Sequence, residues 1–348
     1  MPDKLRILAD RVGIHFPAGS ILAQDSNDFV ERQLAMDAQS ASVTYSNSAI
    51  PAFLTTVVDP KIIEMLVTQM KAAEISGLEV KKGSWIDTTW MFSMLESSGN
   101  VSSYDDFSTA GRADSNVNFP ERQQHFYQVN TEWGERELAR MGQAKIDWAA
   151  QKNIASVLTL NKFQNLTYFY GVAGLQNYGI LNDPSLTSPV VPTTKTAGHS
   201  DVWIYNGGIN GTGLEIYADI QKLFGTLQSQ AQGLVNLSTP MTLAMSPSCE
   251  VALTATNQYN VNVFTLLKSN FPNLRIVTAP EYAGTAGNLI QLFADEIEGQ
   301  RTLEVAFSEK LRAHPVVVAE SSFKQKKSQG SWGAIWYRPF LCAQMLGA

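Results

Sequence analysis

Hydrophobic and polar positions along this chain change rhythm several times. Residues 1–50 hold no sustained period; a short helix is expected over 29–36, and Gln39–Ser48 is rich in Ser and Ala. This stretch reads as an arm, ordered when something else holds it. Asp59-Pro60 offers a cap and a first-turn proline. Ile62, Ile63, Leu66, Val67 and Met70 then recur at helical spacing, which predicts an amphipathic helix to about Ala73. Leu78–Trp85 and Thr88–Leu95 read as strands. Ser97–Asn118 is polar and turn-rich, with Tyr104 and Phe107 isolated in it, and Arg122–Thr131 is strand-like again. The pattern predicts a long hairpin with an irregular tip. A two-stranded ribbon is marginal in water, so this arm either folds back on its own domain or lies on another subunit.

From Glu132 to Tyr170 there is no proline, and one long helix is predicted. Glu132–Arg136 and Glu137–Arg140 are spaced as intrahelical ion pairs. Leu138, Met141, Ile146, Trp148 and Ala149 share one side, whereas Val157, Leu158, Leu160 and Phe163 spread around the wheel. The helix is thus expected to begin half-exposed and end buried. Thirty such residues would span about 45 Å. Gly171, Gly174 and Gly179 end it, and Asn182-Asp183-Pro184 makes a turn.

After a Thr/Pro/Gly-rich link over 184–213 the units become short and alternate. Helices are predicted over 214–232, 247–256 and 261–270, and strands over 241–245, 274–278 and 289–294. Long strand-like runs over 303–319 and 331–345 flank a basic turn at Lys324-Gln325-Lys326-Lys327. The apolar end (Ala343, Met345, Leu346) is expected to be buried. The class is α+β.

Composition narrows the function. Of 348 residues, 44% are apolar and 17% charged, which supports a packed core and excludes wholesale disorder. The net charge of −6 excludes a strongly basic nucleic-acid binder. Nothing at the N-terminus resembles a signal peptide, and no apolar window reaches the roughly 18 residues of a membrane span. A cytosol-like compartment, or a particle assembled there, is expected. Cys249 and Cys342 sit among apolar neighbours and read as inert buried thiols.

No enzyme motif survives. His15, His125, His199 and His314 are scattered, never at metal-ligand spacing. The glycine run Gly207–Gly213 precedes a helix and could cradle an anion, but it lacks the Lys-Ser/Thr of a phosphate-binding loop and reads as a connector. Asp105, Asp106 and Asp114 fit no cation-binding loop and read as solvated turn residues. No cofactor and no metal are expected.

The order of parts, together with local sequence, resembles the Hong Kong 97-type major capsid proteins of tailed bacteriophages. The similarity is carried by Trp133-Gly-Glu-Arg-Glu-Leu-Ala-Arg, Gly171-Val-Ala-Gly-Leu-Gln-Asn-Tyr-Gly-Ile-Leu-Asn-Asp-Pro, Lys310-Leu-Arg-Ala-His-Pro and Ser322-Phe-Lys-Gln-Lys-Lys-Ser-Gln-Gly-Ser-Trp-Gly-Ala. It is specific as a family signature and covers roughly residue 51 to the end.

The resemblance implies an N-terminal arm (1–50), a first part of a peripheral domain (51–79) and an extended loop over a neighbouring subunit (80–131). It further implies a spine-helix region (132–200), an axial domain clustering at the five-fold and six-fold vertices (201–300) and returning peripheral strands (301–348). The implied function is self-assembly, in the virion, of an icosahedral shell of hexamers and pentamers around double-stranded DNA held by non-specific contact. Portal and scaffolding proteins, and a possible decoration protein, are the implied partners, with no membrane involved. Tyr104, Phe107, Arg112, Lys324, Lys326 and Lys327 are the candidate subunit-interface residues. An encapsulin-type compartment is the nearest alternative; a soluble α/β enzyme using the Gly207 loop on a phosphate ligand is a distant one.

Overall fold

The computed structural model describes residues 69–143, 146–196, 201–285 and 287–347. The helix expected over 29–36 and most of that expected over 59–73 lie outside the described residues, which begin with a short helix α1 (Ala72–Ser76). The chain continues through β1 (Glu79–Lys81), β2 (Thr89–Met91), β3 (Met94–Asn100), β4 (Arg112–Asn118), β5 (Glu121–Gln123) and β6 (His125–Gly134) to α2 (Glu135–Gln143) and α3 (Trp148–Tyr170). A ribbon of β7 (Ile204–Tyr205) and β8 (Gly208–Ile209) precedes α4 (Gly213–Gln230), β9 (Met241–Met245), α5 (Pro247–Ala252), α6 (Val263–Asn270), β10 (Leu274–Thr278), β11 (Ala283–Gly284) and β12 (Gly287–Ala294). A second ribbon, β13 (Glu296–Ile297) and β14 (Gln300–Arg301), leads to β15 (Leu303–Ala313), β16 (Val317–Val318), β17 (Ser322–Trp336) and β18 (Cys342–Leu346).

Two sheets organise these elements. In the first, β17 pairs with β6 on one edge and with β15 and β16 on the other, and β1 lies parallel to β15. Helix α3 packs across β6 and β17. The second sheet runs β10-β9-β12-β18, with β9 and β10 parallel. Its centre β9 is buried along its whole length. Against it α4 sets Ile216, Ile220, Leu223 and Leu227, a stripe at helical spacing that meets Leu243, Met245, Leu292 and Met345 in one apolar core.

Four expectations need correction. The single helix from Glu132 does not form. Residues 132–134 stay in β6, where Trp133 stacks on Phe323 at 6.1 Å and the register with β17 is unbroken. Asp147 then caps a new helix by accepting a hydrogen bond from Ala150 N at 3.1 Å, so the spine is the 23 residues of α3, about 35 Å. The predicted ion pairs give way to others: Glu132, now in a strand, meets Lys324 at 3.0 Å, and Glu137, though still in a helix with Arg140, meets Lys152 at 3.0 Å. The polar stretch 97–118 is more regular than its composition suggests, because β3 and β4 pair over seven residues from Met94↔Asn118 to Asn100↔Arg112. The basic "turn" at 324–327 is strand, and the last strand β18 leaves the first sheet to pair with β12.

A close main-chain junction ties the first sheet to the end of α3. Gly333, at φ +76°, lies so near the 177–179 turn that an added Cβ would sit 2.3 Å from the Tyr178 carbonyl. Gly179 has equally little room: its Cβ would fall 2.2 Å from the Phe169 carbonyl. The approach is sealed by Ala334 N donating to Tyr178 O at 2.8 Å and by the buried Asn177 amide, which donates to both Gln123 O and Ser331 O at 3.0 Å.

The link over 184–213 is pinned by an ion pair that helical and strand periodicity cannot reveal. Lys195 and Asp219 are fully buried and paired, and Asp219 also accepts from Trp203 Nε1 at 2.8 Å and from Thr193 N at 2.9 Å. Truncating one partner strands the other charge, so Asp219→Ala is expected to cost about 3–5 kcal/mol. Urea unfolding measures this; a midpoint equal to the parent's would show the pair to be dispensable.

Candidate assembly surfaces

The hairpin is exposed along both of its strands, β3 and β4. Its tip is held by local bonds. Ser102 Oγ donates to Ala110 O at 2.8 Å, Ser108 N to Asp105 O at 3.0 Å, and Tyr104 Oη to Asp106 Oδ1 at 2.6 Å. The bond to Asp106 raises the Tyr104 phenol above its usual range. Asp105 and Asp106 therefore serve the turn itself, as their spacing suggested. Tyr104 is nevertheless 91% exposed and Phe107 95%, which leaves two aromatic rings in water at the end of a ribbon. Arg112 opens β4 opposite Asn100, also exposed.

The base of the hairpin is anchored by contrast. Arg122 of β5 is buried, meets Asp183 at 2.9 Å, and lies over the Tyr178 ring at 4.9 Å and the Phe92 ring at 5.9 Å. Gln123 N donates to Gln176 O at 2.9 Å. The arm thus projects from the same junction that joins β17 to the end of α3.

The three lysines of β17 part company. Lys324 is half-exposed against Glu132, and Lys326 is exposed. Lys327 is buried and donates to Asn153 Oδ1 at 2.7 Å and Ser156 Oγ at 2.6 Å, and burial pulls its ammonium below the usual lysine range. It belongs to the packing of α3 on the sheet, so of the three it is the one withdrawn from an outer surface.

Helix α3 buries a mixed set of side chains. Leu160, Tyr168 and Phe169 are buried together with Ser156, Gln164, Asn165 and Thr167. The polar ones are bonded: Gln164 Nε2 donates to Tyr168 Oη at 2.7 Å, and Asn165 Nδ2 to Glu281 Oε1 at 2.8 Å. Leu166 (47% exposed) and Tyr170 (45%) lie together on the side turned to solvent, Ile154 (51%) is exposed nearer the start of the helix, and Phe163 is 41% exposed although its ring packs on Tyr127 of β6 at 4.6 Å. The expectation that the helix ends buried therefore holds on one face only. Large apolar side chains exposed together mark an interaction surface.

Other candidate chemistry resolves into structure. The Gly207 run forms the turn of the β7–β8 ribbon. The first amides of α4 face their own cap: Thr212 Oγ1 accepts from Glu215 N at 3.4 Å while Thr212 N donates to Glu215 Oε2 at 2.8 Å. The Thr196 hydroxyl and the Thr212 amide hold the Glu215 carboxyl down at about 2. An anion approaching that terminus would meet a carboxylate. Both cysteines are buried thiols, and burial pushes Cys249 up to about 11. Among the described residues no group of His, Cys, Asp and Glu could hold a metal ion, and no helix is long and apolar enough to cross a membrane.

Known proteins share this arrangement. The family model described as the Pa193 gp26 major capsid protein matches residues 41–347. Among solved structures, the capsid of Myoviridae Phage XM1 superposes with a TM-score of 0.71 at 14% identity, covering 87% of this chain and 100% of that one. The capsid of a native GTA particle gives 0.61 at 8% identity, covering 88% and 100%. A structure from Mycobacterium phage Ogopogo gives 0.57 at 12% identity, again covering 88% and 100%. No curated protein matches the chain. At these identities the structural likeness speaks to the fold.

The different stations of the lysines are measurable. Lys324→Glu and Lys326→Glu are expected to shift unfolding free energy by no more than about 1 kcal/mol. Lys327→Glu buries an unpaired carboxylate and should cost several times that, about 3 kcal/mol or more. Three equal denaturation curves would refute this ordering.

Proposed function

Because the chain belongs to the family of the Pa193 gp26 major capsid protein, we propose that its hairpin and the outer face of α3 are the surfaces through which copies lock together in a phage shell. The protein is a structural, shell-forming capsid subunit of the virion with the Hong Kong 97-like fold, not an enzyme. The observation that carries the proposal is the placement of apolar side chains. Tyr104, Phe107, Ile154, Leu166 and Tyr170 are exposed in one copy, and Phe163 remains 41% exposed. That distribution is costly for a solitary molecule and sensible for a subunit whose outer faces become interiors.

In this reading the hairpin that projects from the extended loop (80–131) lies on a neighbour, with Tyr104, Phe107 and Arg112 meeting it and Lys324 and Lys326 on the flank, while the ends of the loop stay rooted in their own subunit. The 201–300 region, built around β9 and α4, clusters at the vertices of hexamers and pentamers. Portal and scaffolding proteins nucleate and shape the shell, and a decoration protein could dress its outside. The net charge of −6 suits DNA that is confined and touched non-specifically. The family match favours a phage shell over an encapsulin-type compartment. The Glu215 carboxylate at the start of α4 disfavours the phosphate-ligand enzyme.

Replacing Val101–Gly111 by an Asn-Gly turn keeps β3 and β4 paired and removes both exposed rings. The variant is expected to remain a folded subunit with the parent's melting temperature and to yield no closed shells by electron microscopy. Normal particles from it would remove the hairpin tip from the assembly surface.

A further inference from the structure

Strand β6 lies at the edge of the first sheet, and the direction of its free main-chain groups can be worked out. Ser322 O accepts from Ala319 N at 2.8 Å and Lys326 O from His314 N at 2.9 Å, so those two residues of β17 face away from β6. Ser321 O faces the other way and accepts from Glu135 N at 3.1 Å. Successive residues of a strand serve alternate edges. Phe323, Gln325, Lys327, Gln329 and Ser331 therefore bond β6, and their register partners are Trp133, Thr131, Val129, Tyr127 and His125. The residues between them, Phe126, Gln128, Asn130 and Glu132, turn their N–H and C=O groups outward. Lys152 Nζ takes the Glu132 carbonyl at 2.8 Å. Among the described residues, the main-chain groups of Phe126, Gln128 and Asn130 have no partner.

Natural edge strands are guarded by proline, lysine, a bulge or a cover. Over Phe126–Asn130 there is no proline and no charged residue, and the register with β17 is unbroken. An edge this open is a template for another strand.

We propose that a hairpin strand from a neighbouring copy adds to the edge of β6 by main-chain hydrogen bonding, extending the first sheet across the subunit boundary. The hairpin fits the role because β3 and β4 pair only with each other among the described residues, so each also presents an outer edge. The seven residues of β4 match the span from Phe126 to Glu132 in length. This inference rests on the reading that the hairpin lies on a neighbour, and it names how the two are joined.

Residue-resolved hydrogen exchange on the full chain, compared between dissociated subunits and assembled shells, tests it. Strand addition predicts an alternating signature. The amides of Phe126, Gln128, Asn130 and Glu132 should slow by about a hundredfold or more on assembly, together with alternate amides of β3 or β4. Those of Tyr127, Val129 and Thr131 should be protected in both states. Shells in which the even-numbered amides still exchange as in the subunit would overturn the strand addition and leave the shell reading intact. Protection on β6 without any in the hairpin would overturn the hairpin as its source. Failure to form shells at all under any scaffolded condition would sink the assembly reading and this inference with it.

Discussion

The described chain depends on one close approach of backbone to backbone, where Gly333 of β17 meets Asn177 and Tyr178 in the turn that folds back on the end of α3. Three glycines make it possible. At Gly171, Gly179 and Gly333 a Cβ would lie 2.2–2.3 Å from a carbonyl oxygen, a distance that small side-chain shifts cannot relieve. Asn177 then fills the gap with amide donors to Gln123 and Ser331. One junction therefore fixes the end of α3, the central strand of the first sheet and the base of the hairpin. A ribbon that is marginal in isolation is in this way given a rigid root, and Arg122 paired to Asp183 reinforces it.

From that root the apolar surface follows a consistent logic. Buried Leu160, Tyr168 and Phe169 hold α3 by apolar packing, and the polar side chains buried with them are hydrogen-bonded. Exposed Ile154, Leu166 and Tyr170 are left for something outside the subunit. Burying a leucine or aromatic side chain contributes roughly 1.5–3 kcal/mol, and obligate interfaces commonly exceed about 2,000 Å². A handful of outward rings and aliphatic side chains, repeated at every copy, is enough for a shell that a lone subunit cannot build.

Much of this was legible in the residues. The alternating units around β9, α4, α6 and β12 fall within a few residues of their periodic runs, because caps such as Ser246 and Asn262 and buried stripes such as Ile216–Leu227 act locally. The hairpin was legible too, although its composition concealed how far the pairing of β3 with β4 runs. What failed was non-local. The strand pairing of β6 with β17 overrides the helical propensity of Glu132–Gly134, and a single capping aspartate at 147 divides a proline-free stretch. The face that α3 leaves exposed could not be seen on a helical wheel, since a wheel does not say which side meets the sheet. Lys195 with Asp219, 24 residues apart, carries no periodic signal. The glycine and asparagine motif at 171–183 was recognisable as a family signature; its physical reason, the junction, appears only when β17 is beside it.

The central claim is that the hairpin tip and the outer face of α3 are incomplete surfaces, covered by other copies of the chain. A single-particle reconstruction of the assembled shell at side-chain resolution measures this directly. Tyr104 and Phe107 are expected in van der Waals contact with a neighbouring copy, and Leu166 and Tyr170 covered by protein from outside their own subunit. A closed shell in which the hairpin folds back on its own subunit, with Leu166 and Tyr170 still facing solvent, would contradict this.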